Sequence, residues 1–236
     1  MMDNIKTFDV NGVLLEMVKA EGGVFRKGAQ NKDSEAANYD IDSYEEGPVE
    51  EVTLDSYYIG RYAVTQQLWT ALKKLPKDMA YVGDSLPVTW VSYYDVRLFL
   101  EALNGTLHRD GQLDEDLVFD LPDEAEWEYA ARGGQKSEGF MISGGPFIDE
   151  VAWYASKTDT EGPQPVALKQ PNELGLFDMS GNTDEWTTTS KSGKFSIRGG
   201  HWCDEYNNCR ITARKWTSPF TKSNNLGFRL VIHPKR

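Results

Sequence analysis

The stretch RGGHWCDEYNNCRITARKWTSPFTKSNNLGFR, residues 198–229, decides the fold. It holds both cysteines, two of the seven tryptophans and a diglycine turn, and it runs into an apolar strand-like segment at residues 226–232. Two kinds of residue are interleaved in it. Arg198, Gly199, Gly200, Trp202, Cys209, Arg210, Arg214, Asn225, Gly227 and Phe228 read as structural. Between them stand His201, Cys203, Asp204, Tyr206, Asn207, Lys215, Trp216, Thr217, Phe220, Thr221, Lys222 and Asn224, with no apolar period. Large amphipathic side chains among small polar ones suit a recognition surface for a protein or peptide. The competing expectation is that these aromatics pack down on the frame as staples.

Outside this stretch the chain reads as the frame that carries it. Its 236 residues are enough for one large domain, and no linker-like stretch divides them, so residues 1–236 are expected to form a single domain. A net charge of −12 argues against nucleic acid as partner. The charge is uneven: residues 191–236 carry ten Lys and Arg against two acidic residues, +8, while residues 1–190 carry 15 against 35, −20. Either the C-terminal segment presents a basic face, or its arginines are buried against carboxylates of the first part. Because Arg210, Arg214 and Arg229 sit among apolar residues, internal pairing is the reading adopted. No window approaches the roughly 20 apolar residues of a membrane span, so no membrane insertion is expected. Without the basic and apolar regions of a signal peptide, the N-terminus reads as cytoplasmic, with surface display the alternative if a leader has been removed.

Taken in order, residues 10–28 predict two short strands joined at Glu21-Gly22-Gly23, residues 29–47 an acidic loop, and residues 50–62 a strand. Three helix starts follow. Thr65 precedes a helix facing inward with Leu68, Trp69, Leu72 and Leu75. Ser92 with Asp95, and Asp123 with Glu126, predict capping boxes. The first of these helices buries Val96, Phe99, Leu100 and Leu103 and is expected to stop at Asn104-Gly105. Residues 134–169 read mainly as loop, 172–186 as turn-rich, and 195–197 and 226–232 as strands. Many short elements, with 28 aromatics and 21 glycines, point to an irregular α+β fold rather than a helical bundle.

The blocks EGGVFRKG, YYIGRYAVTQQLW, LPVTWVSYYDVRLFLEALN, LPDEAEWEYAARGG, GLFDMSGNTDEW, IRGGHW, CRITAR and NNLGFRLV occur in this order. Together they resemble the formylglycine-generating enzyme (sulfatase-modifying factor) family from residue 22 to residue 231. The resemblance implies a C-type-lectin-like fold with a small twisted antiparallel sheet and a few helices. Function is not implied by the fold. The family contains copper-dependent oxidases, iron-dependent sulfoxide synthases and non-catalytic binding proteins, among them variable proteins of diversity-generating retroelements.

Each possibility makes a claim on residues. In the oxidases two thiolates bind Cu, a soft-metal arrangement, which here would require Cys203 and Cys209. Their spacing has one residue too many, and CRITAR resembles the run of non-catalytic members, where the single Cys is a small buried hydrophobe. The histidines, His108, His201 and His233, form no His-x3-His or HExxH pattern. His108 and His233 read as surface residues, while His201 is either a ligand contact or incidental. No phosphate loop and no Gly-x-Ser-x-Gly elbow is present. The resemblance further implies a structural Ca²⁺ held by Asp178, Gly181, Thr183 and Glu185, two of them through backbone carbonyls, against a metal-free turn whose polar groups satisfy local N–H groups. The short connection from Trp186 to Arg198 and the LGFRLV ending match the variable proteins. The expectation adopted is a non-catalytic binding module whose shallow surface is built from Tyr206, Trp216 and Phe220, with the copper oxidase as alternative.

Overall fold

The computed structural model describes residues 4–36, 38–43, 46–155 and 161–235. Among these, a five-stranded antiparallel sheet forms the centre, in the order β1-β2-β5-β11-β6. Its strands are β1 (Ile5–Val10), β2 (Val13–Ala20), β5 (Tyr57–Gly60), β6 (Leu117–Asp120) and β11 (Val231–Pro234). Asn11-Gly12, both at positive φ, turns β1 into β2. The strand expected over residues 50–62 divides at Asp55-Ser56 into β4 (Glu50–Leu54) and β5, and β4 pairs instead with β3 (Gly23–Lys27).

Side chains alternate across the central sheet, so it carries a core on each face. Ile232 joins Phe8, Met17 and Phe119 on one face, while Val231 joins Val18, Ile59 and Trp127 on the other. The first face is covered by α2 (Tyr93–Arg109), which buries Val96, Phe99, Leu100, Leu103 and Leu107. Its capping box forms as expected: Ser92 Oγ accepts from Asp95 N, and Asp95 accepts from Ser92 N. The helix does not stop at Asn104-Gly105. Asn104 exchanges two 2.8 Å bonds with the backbone of Phe119, and Leu107 extends the buried stripe, so winding continues to Asp110 and Gly111 (φ 67°). One turn of packing outweighs the roughly 1 kcal/mol that a mid-helix glycine costs.

The second face is covered by α3 (Glu124–Ala131), started by the Asp123/Glu126 box. Shorter helices are α1 (Gln66–Thr70), capped by Thr65, and α4 (Ile148–Val151). A second sheet, β10-β7-β8-β9, comprises β7 (Asp184–Lys191), β8 (Lys194–Arg198), β9 (Arg214–Thr217) and β10 (Leu226–Phe228), with β10 parallel to β7 and the other pairs antiparallel. This sheet places residues 198–229: β8 leads into the segment, β9 lies within it, and β10 ends it. No helix among the described residues is long and apolar enough to cross a membrane.

Candidate functional site

The segment is fastened from beneath by buried arginines. Arg198 is 1% exposed and donates to Glu124 and Glu128, each at 2.9 Å, and to Ile211 O at 2.8 Å. Arg210 pairs with Asp40 and, at 3.1 Å, with Glu46, and Arg214 reaches Glu124 at 3.3 Å. Arg229, fully buried, grips Glu185 through Nε and Nη2 and also donates to Gly60 O and Phe177 O. These are the internal pairs expected from the charge asymmetry. Burial works against the charge of Glu124, but Arg198 and Arg214 more than offset it, and its pKa lies below the ordinary value.

After β8 the chain turns at Gly199 and Gly200, with φ of 96° and 72°. A Cβ on Gly200 would lie 2.6 Å from Asn208 O and 2.9 Å from Cys209 Sγ. Only glycine allows both the turn and this closeness.

Above the turn sits a polar cluster. Asp184, His201 and Asp204 each offer one ligand atom, all within 4.8 Å of one another. The position a cation would take is already served by Lys215, whose ammonium bonds Asp184 at 3.0 Å and also Asp204. Burial opposes the Lys215 charge, yet the two carboxylates outweigh it and raise the pKa. Burial pushes Asp184 up to about 7, aided by Asp204, and pushes His201 down to about 4, leaving the ring neutral at pH 7. His201 Nε2 lies 2.7 Å from Asn225 Nδ2, a donor, and 3.2 Å from Asp204 Oδ2, an acceptor, so either ring tautomer finds a partner. Nδ1 lies 3.3 Å from Cys203 Sγ. Burial and Asp204 hold the neighbouring Cys203 thiol above its ordinary pKa, so the pair lacks the ionised sulfur of an activated nucleophile.

The two cysteines are both free and differ in environment: Cys203 is exposed and Cys209 is fully buried. Burial raises the Cys209 pKa to about 12 and also lifts that of Cys203. A dithiolate copper site needs two ionised sulfurs open to the metal, and this donor set does not fit it. Cys209 instead fills the small apolar position that CRITAR suggests.

Of the four expected ligands around Asp178, the two carboxylates differ in availability. Glu185 accepts from Arg229 and, at 2.7 Å, from Trp127 Nε1, so both of its oxygens are engaged. Asp178 is 5% exposed; Oδ2 accepts from Ala167 N at 2.9 Å, while Oδ1 has no hydrogen-bond partner. Burial raises its pKa to about 6. Gly181, where a Cβ would lie 2.1 Å from Trp153 O, could contribute only its carbonyl, and Thr183 is buried. Of the Ca²⁺ set, Asp178 fits a hard cation and Glu185 does not.

The display residues divide as well. Asp204 is buried, Lys215 is tied to it, and Asn224 accepts from Ala80 N at 2.9 Å. Trp216 is half-buried on β9, opposite Ser196, and Thr217 shares a 2.9 Å hydroxyl contact with Thr221. Cys203, Tyr206, Asn207, Phe220 and Lys222 face solvent. Phe220 is 73% exposed, and its partner is not Tyr206 but Tyr94, with ring centroids 5.1 Å apart. Tyr94 and Leu98, on the outer face of α2, are also exposed. Helical periodicity assigns them to solvent, and nothing in the local sequence says that Phe220 meets them there.

The chain matches the model of the sulfatase-modifying factor enzyme 1-like domain over residues 3–234. It is 29% identical to chaperone protein LppX of Paenibacillus barcinonensis, covering 84% of this chain and 82% of that one. It is 26% identical to inactive C-alpha-formylglycine-generating enzyme 2 of Bos taurus, over 93% and 88% of the two chains. Among solved structures, Treponema denticola variable protein 1 superposes with a TM-score of 0.80 and 25% identity, over 98% of this chain and 99% of that one. The fold is thus the C-type-lectin-like, formylglycine-generating-enzyme type, and the chain belongs to the sulfatase-modifying factor enzyme 1-like domain family.

Proposed function

We propose that the chain is a non-catalytic ligand-binding protein that displays a C-terminal recognition surface for a protein or peptide. The observation that carries this reading is Phe220, a large aromatic left mostly in water beside an exposed Tyr94 on a rigid frame. Exposed aromatics on fixed backbone make binding anchors because few rotamers are lost on contact. Selection of a displayed random-peptide library on the immobilised protein tests it. Enriched peptides should lose affinity for Phe220→Ala by about fivefold or more. Failure to enrich any peptide would count against the reading.

Similarity to Treponema denticola variable protein 1 supports a narrower version, in which the exposed positions of residues 198–229 are diversified by a retroelement. A template repeat and a reverse-transcriptase gene beside the coding sequence would bear it out; their absence would leave a generic binding domain. The opposing reading is the copper oxidase. Copper-dependent oxidation of a Cys-x-Pro-x-Arg peptide by the metal-loaded protein would establish it, and the opposite environments of Cys203 and Cys209 predict no turnover.

A further inference from the structure

The surface next to Phe220 gathers three lysines around one groove. Leu98, one helical turn from Tyr94 on α2, lines a groove of about 320 Å³ together with Trp69, Val91, Lys73, Lys74 and Lys222. The floor is rigid. Trp69 and Val91 are buried, Trp69 stacks on Phe99 with centroids 5.0 Å apart, and its Nε1 donates to Lys74 O at 2.9 Å. That last bond pins the chain at Lys73-Lys74, so the lysines are fixed at the rim by their backbone.

In a chain of net charge −12, three ammonium groups around one groove stand out. Lys222 pairs at 2.7 Å with Asp95, which also lines the groove, so the positive charge in excess there is that of Lys73 and Lys74. Lys73 and Lys74 have no carboxylate within salt-bridge distance among the described residues, although acidic residues outnumber basic ones 37 to 25. Exposed lysines elsewhere, Lys77 and Lys194 among them, are also without a carboxylate within salt-bridge distance among the described residues; what sets Lys73 and Lys74 apart is that they share one groove with Lys222 over an apolar floor, where their charge can meet a partner. The apolar floor and the exposed row of Phe220, Tyr94 and Leu98 give the same surface a place for an apolar side chain. An extended polyanion such as nucleic acid would be repelled by the acidic remainder of the surface, whereas a short segment would not reach it.

Resting on the binding reading above, we infer that the groove and the Phe220 row together take an acidic peptide segment bearing an aromatic or large aliphatic anchor. The carboxylates meet Lys73, Lys74 and Lys222, and the anchor lies against Leu98, Tyr94 and Phe220. The peptides enriched in the selection on the full chain are the probe. The expected result is Glu- and Asp-rich sequences with one or two large apolar residues. Their affinity should fall about tenfold or more for K73E/K74E, and it should weaken as salt is raised. Lys74 is exposed and Lys73 half-buried, and neither has an ion pair to lose among the described residues, so the double variant should melt close to the parent; K73Q/K74Q, with an intermediate loss, guards against misfolding of the charge reversal. Enrichment of neutral or basic peptides, or binding unmoved by K73E/K74E and K73Q/K74Q, overturns this inference and leaves the binding reading intact. Absence of any enriched peptide overturns both.

Discussion

The underside and the outer rim of residues 198–229 are built on opposite principles. Beneath, Arg198, Arg210 and Arg229 are buried and each donates to at least one carboxylate and one carbonyl. At the rim, Phe220, Tyr206 and Lys222 are exposed, and the side-chain contacts that Phe220 and Lys222 make, to Tyr94 and Asp95, are themselves part-exposed. A buried ion pair adds little net stability over a well-packed apolar pair, but breaking one is costly, because it strands the surviving charge. The underside therefore fixes one backbone path against substitution, while the rim can change with little consequence for folding. That asymmetry is what a surface for recognition requires of its support.

The contrast breaks most sharply at Arg229. Arg229→Met leaves Glu185 with Trp127 Nε1 as its remaining donor and strips Gly60 O and Phe177 O of their guanidinium. A loss of about 3–5 kcal/mol is expected, a large share of the roughly 5–15 kcal/mol that holds a typical domain. Urea unfolding measures it. Adding Glu185→Met should recover part of the loss, and a double-mutant cycle with no coupling would show that the pair does not hold the segment.

A smaller effect of opposite sign is expected at Asp178. Its folded pKa, about 6, is above the ordinary carboxylate value, because burial disfavours the charge. The protonated form is the one the fold favours. The stability contribution is therefore full below about pH 4 and is lost as pH rises through about 6. In EDTA, Asp178→Asn should gain on the parent by about 2–3 kcal/mol between pH 4 and pH 7. The backbone is no obstacle, since φ of 56° suits Asn as well as Asp. If Ca²⁺ completes the Asp178 shell instead, added calcium should raise the melting temperature of the parent, EDTA should reverse the rise, and Asp178→Asn should abolish it. A calcium-insensitive parent would leave Asp178 as a buried acid and nothing more.

How much of this contrast was legible follows from where each signal lies. Both capping boxes are local in sequence, and both form. Internal pairing of the arginines could be inferred because charge imbalance between two halves of a folded chain asks to be closed. The strands β6, β7 and β9 were less visible: β7 reads DEWTTTSK and is buried for its first four residues on both faces, so it shows no alternation. The Phe220–Tyr94 pair joins residues 126 positions apart, by the numbering, and no periodicity reports such a meeting. The lysine rim was missed for the same reason, since Lys73 and Lys222 meet only through the path of α1 and the loop after β9.

The two cysteines carry the comparison down to its smallest step. Cys209 belongs to the underside. Serine there would put a hydroxyl against Gly200 in a fully buried position, and Cys209→Ser should cost about 1–3 kcal/mol. Cys203 belongs to the rim, where its thiol lies 3.3 Å from His201 Nδ1 and faces water. Cys203→Ser keeps the size and the acceptor, so its effect should stay within about 0.5 kcal/mol. Alkylation separates the same two residues without mutation. In the native protein one thiol, Cys203, should react with iodoacetamide, slowly at neutral pH because burial and Asp204 hold its pKa above the ordinary value. Cys209 should react only on unfolding. Equal reactivity of both thiols in the folded protein would mean that Cys209 is not part of the underside, and that the division between support and display runs elsewhere.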